Sequence, residues 1–208
     1  MRIIKRVAFV ILLLSLIVLT ASEVAAVTKT KKKSRPLTSA ELKSARQRLK
    51  ELGYVSAAGN TQSALVFFQK WEGRKVTGRL SRGDFDALMD APPLQPRDPG
   101  YKQVEVDLDR QVLLLVNHDG EVARMLPVST GSGRRYNEKG MRGTAYTPRG
   151  RFRIYGKIAG WRKSPLGLLY YPNYFSDGLA IHGNPSVPST PQSHGCIRIP
   201  MSAAKEMS

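Results

Sequence analysis

The sequence predicts an α+β chain: a small three-helix N-terminal module followed by a mainly β domain. Two observations carry that reading. Between residues 37 and 92 apolar residues recur at helical spacing, and from Tyr101 onward the apolar period drops to two. A Pro- and Gly-rich stretch, "APPLQPRDPG", separates the two patterns and reads as a linker over 93–100.

The helical part has three segments. Thr38-Ser39-Ala40-Glu41 has the spacing of a capping box, Leu42, Ala45, Leu49 and Leu52 share one face, and Gly53 ends the helix. A second helix spans about Thr61 to Trp71, with Ala64, Leu65, Phe68 and Trp71 inward. A third starts near Ser81, is capped with Asp84, and buries Phe85, Leu88 and Met89. About 55 residues sit near the lower size for independent folding. "RLKELGY" and "GNTQSALVFFQ" resemble the peptidoglycan-binding module found beside many wall enzymes, which implies a wall-binding role for 37–92.

The β part opens with Val104, Val106 and Leu108 alternating with acids. Asp107 and Asp109 therefore read as strand surface. Val112 to Val116 is a continuous apolar run, Asn117-His118-Asp119-Gly120 is a turn in which His118 is solvated, and Val122 to Val128 returns. Phe152 to Tyr155, Leu168 to Tyr171 and Leu179 to His182 read as short strands between loops heavy in Gly, Pro and Arg. A helix begins at Pro200, and the chain stops without a cap, so a truncated C-terminal end is expected.

Before residue 37 the chain has a different character. Arg2, Lys5 and Arg6 precede an apolar run from Val7 to Leu19, and Val24-Ala25-Ala26 offers a cleavage site. Residues 1–26 therefore read as a secretory signal peptide, or alternatively as an N-terminal anchor. That predicts export to the periplasm, cell wall or medium. Residues 27–36 form a basic tether.

The net charge is +17, and residues 134–163 carry ten Lys or Arg against Glu138 alone. Outside the cytoplasm such a surface fits anionic envelope polymers or wall-peptide carboxylates rather than nucleic acid.

Cys196 is the chain's one cysteine, so no intrachain disulfide can form. It lies in "LAIHGNPSVPSTPQSHGCIRIP", where His182, His194, Cys196 and Arg198 fall within 17 residues. Three readings are open on those residues alone. Cys196 is a nucleophile whose proton a histidine removes. Or His182, His194 and Cys196 hold a metal, for which no acidic ligand is near. Or the thiol is buried and inert.

The pattern His182-Gly183, a loop through Gln192, then Ser193-His194-Gly195-Cys196-Ile197-Arg198 resembles the catalytic domain of the L,D-transpeptidases. "VEVDLDRQVLLLV", "PVSTGSG" and "YTPRGRFRI" resemble that family's opening hairpin, its Ser/Thr-Gly turn and its Thr-Pro segment, so the likeness runs from Tyr101 to the end.

The resemblance implies Cys196 as nucleophile, without metal or cofactor. It implies His182 as general base, its ring oriented by the Gly183 carbonyl, and His194 supporting the thiol. The N–H groups of Gly195 and Cys196 would face the oxyanion, and Arg198, Ser193 and Tyr174 would contact substrate. It further implies release of terminal D-alanine from a wall tetrapeptide and transfer of the acyl group to a diamino acid amine, giving a 3–3 cross-link for wall biogenesis and cell shape. Carbapenem-type inhibitors would acylate Cys196. The alternatives are a carboxypeptidase with water as acceptor and a non-catalytic peptidoglycan-binding protein.

Overall fold

The structure, a computed structural model, describes residues 35–54 and 60–207. The expected signal peptide, the tether up to residue 34 and the loop over 55–59 lie outside the described residues. No helix among the described residues is long and apolar enough to cross a membrane.

Helix α1 (Ser39–Glu51) begins at the anticipated capping box: Glu41 N–H donates to Thr38 Oγ1 at 3.2 Å, and Thr38 N–H donates to the Glu41 carboxylate at 2.8 Å. Gly53, at φ +87°, ends it. Ala45, Leu49 and Leu52 are buried, whereas Leu42, in the first turn, stays 40% exposed. Helix α2 (Thr61–Trp71) is capped by Asn60, which accepts from Ser63 N–H. Helix α3 (Arg82–Asp90) is capped by Ser81 and Asp84. Phe67 and Gln69 join the buried face, while Trp71, Phe85 and Met89 pack only partly buried against it. Gln69 is a hydrophobic-face position filled by an amide: its Oε1 accepts from Thr77 and Gly78 N–H, both at 2.9 Å, and its Nε2 donates to the Arg79 carbonyl. Every polar group it buries is thereby used.

Strands β1 (Gln103–Asp107), β2 (Val112–Val116) and β3 (Val122–Pro127) form an antiparallel sheet in the order β1-β2-β3. Alternation sends successive β2 residues to opposite faces. Val112, Leu114 and Val116, with Met125, join the core of the three helices. Leu113 joins a second core with Leu126, Val128, Ile181, Ile197 and Ile199. This explains the unbroken apolar run: both faces of β2 are covered. Residues Arg35–Ser208 accordingly form one compact unit. The Pro- and Gly-rich segment read as a linker is docked on it, with Leu94 buried and its N–H bonded to the Leu52 carbonyl.

The strands that carry the predicted site are β6 (Gly156–Lys157), β7 (Trp161–Ser164), β8 (Gly167–Ser176), β9 (Leu179–Gly183) and β10 (Ile197–Ile199). Before them, β4 (Arg135–Glu138) and β5 (Met141–Thr144) make a separate two-stranded hairpin. The sheet order is β10-β9-β8-β6, with β7 also on β8, and β9–β10 is the parallel pair. The expected strand at 152–155 is not one. Only Tyr155 N–H bonds across, to Tyr174, while Phe152 and Ile154 stay exposed and pairing begins at Gly156. Helix α4 (Met201–Glu206) closes the second core with Ala203 and Ala204. Gly183 permits that closure, since a Cβ there would lie 2.9 Å from Ala204 Cβ.

Because β2 belongs to both cores and joins them, unfolding should be a single transition. Phe68→Ala should lower stability by about 3–5 kcal/mol. In Trp161→Phe and Trp71→Phe backgrounds, urea curves read from the remaining tryptophan should shift together; separate midpoints would show two independent domains.

Candidate active site

The thiol and the first histidine are brought together by the parallel pairing of β9 and β10. Arg198 is opposite His182 and Ile197 opposite Ile181. Ile181, Ile197 and Ile199 enter the core, so period-two alternation puts His182, Cys196 and Arg198 on the other face. There they line one cleft of about 350 Å³, together with His194, Tyr136 and Met141. A larger, more open depression of about 430 Å³, among Arg74, Lys75, Thr77 and Asp84 of the helical part, shares no residue with it.

His182 is 3% exposed, and its Nδ1 lies 2.9 Å from the Gly183 carbonyl oxygen. A carbonyl only accepts, so Nδ1 carries the proton and Nε2 keeps its lone pair. Burial lowers the His182 pKa, and the Arg198 charge lowers it further, against the raising effect of the Gly183 carbonyl. Burial raises the Cys196 pKa, partly offset by the Ala180 N–H, 3.5 Å from Sγ, and by Arg198. Both environments favour neutral groups, so the resting pair is thiol and imidazole rather than thiolate and imidazolium.

The loop before Cys196 is held from within. Ser193 Oγ accepts from Gly195 N–H at 3.0 Å and donates to the Cys196 carbonyl at 2.5 Å. Thr147 Oγ1 donates to the Gly195 carbonyl at 2.7 Å and accepts from Gly131 N–H at 2.8 Å. Gly195 sits at φ +139°, and a Cβ there would lie 2.8 Å from the Tyr146 carbonyl oxygen, so only glycine fits. Two of the expected site residues are thereby occupied within the loop. Gly195 N–H is engaged by Ser193 Oγ. The hydroxyl of Ser193, 3% exposed, is occupied in shaping the loop rather than free for substrate.

His194 Nε2 lies 3.4 Å from the Glu138 carboxylate, and the Tyr136 ring meets its imidazole edgewise at 4.8 Å. Arg198 lines the cleft, and its guanidinium makes no hydrogen bond or ion pair among the described residues. Tyr174 does not line the cleft: on β8 it pairs with Ala180 and its ring lies against Tyr155. Sequence reasoning missed Tyr136, Glu138 and Met141, which the β4–β5 hairpin brings over His194. It also missed Thr147, whose signal was its place in the quoted Thr-Pro segment. Among the described residues no group of three or more His, Cys, Asp or Glu side chains is placed to hold a metal.

Residues 101–208 match the family model of the L,D-transpeptidase catalytic domain (YkuD). A solved L,D-transpeptidase from Xylanimonas cellulosilytica is 38% identical at a TM-score of 0.70, over 84% of this chain and 89% of that one. That coverage extends beyond residues 101–208 into the helical part. An L,D-transpeptidase from Stackebrandtia nassauensis is 23% identical at a TM-score of 0.45, over 79% of this chain and 83% of that one. No curated protein matches the chain.

The two shifted groups set a stability window. The depressed His182 pKa gives stability that is present above the unfolded imidazole value of about 6.5 and lost as pH falls below it. The raised Cys196 pKa gives stability that is present below about 8.5 and lost as pH rises through the folded value. Thermal midpoints should therefore plateau between these limits. Cys196→Ala should lessen the onset of the alkaline decline and leave the acid side unchanged, the raised pKa of the Tyr54 hydroxyl keeping a loss at higher pH; an unchanged onset would exclude the buried neutral thiol as its cause.

Proposed function

The chain belongs to the L,D-transpeptidase family, and on that premise we propose that it cross-links peptidoglycan stem peptides through a thioester on Cys196. The supporting observation is the pair in the cleft: an imidazole whose Nδ1 is engaged by the Gly183 carbonyl, which leaves Nε2 to take a proton, and a thiol whose Sγ lies 3.5 Å from the Ala180 N–H.

The reaction follows in two halves. As Cys196 Sγ attacks the donor carbonyl, its proton passes to His182 Nε2 and a tetrahedral oxyanion forms, facing the Cys196 N–H. Collapse breaks the bond to the terminal D-alanine nitrogen, which takes the proton from His182, and the donor acyl group remains as a thioester. The acceptor amine then attacks that carbonyl. Its proton goes to His182, the C–S bond breaks, and Cys196 recovers the proton. Coupling proton transfer to attack suits two groups that are neutral at rest, since no ion pair needs to be maintained in the dry site. Arg198, cationic and uncommitted, is suited to a carboxylate of the donor stem.

The wider role rests on sequence features beside the site. The basic, apolar N-terminal run supports export to the cell envelope, where peptidoglycan lies. The helical part would orient the enzyme on the wall, and the basic stretch 134–163 would favour anionic envelope polymers. A carbapenem would be opened by the Cys196 thiol.

Incubation with disaccharide-tetrapeptides should release D-alanine and give 3–3 dimers. Cys196→Ala should lower the rate by at least about 10³-fold while circular dichroism stays unchanged. Intact-mass analysis should find a carbapenem adduct on the wild type only. Undiminished cross-linking by Cys196→Ala would refute the proposal.

A further inference from the structure

Gln111 stands at the turn between β1 and β2, remote in sequence from the catalytic loop. It is 3% exposed and adopts φ +53°, a left-handed conformation costly for a residue with a branched-free but long side chain. Its amide is fully used. Oε1 accepts from Thr130 N–H at 2.9 Å, and Nε2 donates to Thr130 Oγ1 at 2.8 Å and to the Leu108 carbonyl at 2.5 Å. One side chain thus grips both polar groups that Thr130 offers on that side.

Thr130 is the next link. Its carbonyl accepts from Ser193 N–H at 2.8 Å, and Ser132 N–H donates to the Ser193 carbonyl at 3.0 Å. Ser193 Oγ in turn joins Gly195 N–H to the Cys196 carbonyl. The path from Gln111 to the nucleophile's own peptide is therefore continuous hydrogen bonding through Thr130 and Ser193. From the helical side, the Lys70 ammonium on α2 donates to the Gln111 carbonyl at 3.3 Å, and Val128 N–H donates to the same oxygen at 3.2 Å.

We propose that Gln111 is a positioning residue for the catalytic loop, setting through Thr130 and Ser193 the placement of the Cys196 thiol, with Lys70 anchoring it to the helices. The proposal rests on the reading of Cys196 as nucleophile. Displacement of a reacting atom by about 1 Å costs on the order of 100-fold in rate, so a loop held at one remove from the chemistry is sensitive to its support. The strained backbone fits this role: a glycine would suit φ +53° better, yet it could hold nothing.

That contrast supplies the test. Gln111→Gly relieves the backbone strain while deleting the grip on Thr130 and the bond to the Leu108 carbonyl, so the smaller change at Thr130 below separates the grip from the turn. It should lower kcat about 10- to 100-fold with KM changed less than about threefold. It should also move the pH profile of Cys196 alkylation by iodoacetamide toward that of a free thiol, as the loop loosens and the thiol hydrates. Thr130→Val, which deletes only Oγ1, should shift both readouts in the same direction by less. Combined with Ser193→Ala, Gln111→Gly should be clearly less than additive. A lowered melting midpoint with unchanged kcat and alkylation profile, or full additivity, would overturn the proposal. Alkylation needs no peptidoglycan: a shifted profile in an enzyme without cross-linking activity would keep the positioning role and sink only the transpeptidase reading.

Discussion

Strand β2 has no face to leave in water. Its five residues alternate between two cores, one shared with the helices and the other with the second sheet. The helices cover Val112, Leu114 and Val116. The β8–β9–β10 sheet and α4 cover the side of Leu113. A strand in that position transmits rigidity in both directions, because neither layer can shift without opening voids in a close-packed interior. The helical part is for this reason a wall of the same building as the catalytic sheet, whatever else it binds.

The site depends on a second, smaller constraint: β9 and β10 run parallel although only 13 residues separate Gly183 from Ile197. Parallel pairing needs a crossover, and here an extended loop supplies it instead of a helix. That loop must be tied down by other means. Ser129 takes up part of the task, exchanging two backbone hydrogen bonds with Arg198 at 3.1 and 3.0 Å while its hydroxyl donates to the Thr190 carbonyl at 2.9 Å. Thr130, Thr147 and Ser193 do the rest. The hydroxyls of Ser129, Thr147 and Ser193 each donate one bond and accept another within a few ångströms.

This explains which parts of the molecule were legible in the sequence. The helices were, because caps and period were local: Thr38 and Glu41, Asn60 and Ser63, Ser81 and Asp84 each lie within four residues. Strands β1 to β3 were legible from alternation and the Asn117–Gly120 turn. The hairpin of Tyr136 and Met141 was not, since its strands are almost wholly exposed and so carry no apolar period. The misplaced strand at 152–155 shows the converse. Phe152 and Ile154 alternate with arginines as a strand would, but among the described residues no strand pairs with them, and Phe152 meets the Phe175 ring edgewise. The histidine, thiol and glycine of the site stood out by residue type. Their supports did not, because Gln111, Thr130 and Thr147 come from segments up to 85 residues away and are joined only by the fold.

The electrostatics of the cleft bear on how the proposed donor would be used. The Arg198 charge acts on both reacting groups in the same direction: it lowers the His182 pKa and the Cys196 pKa alike. In the free enzyme Arg198 thus makes the imidazole a weaker base than burial and the Gly183 carbonyl together would leave it. A donor carboxylate set against Arg198, as proposed, would cancel that positive field, and the basicity of His182 would rise as the donor arrived. The thiol loses the same help toward ionisation, but it needs none if its proton moves during attack rather than before it. A cation at this position would then do two things at once, holding the donor and withholding the base until the donor is held.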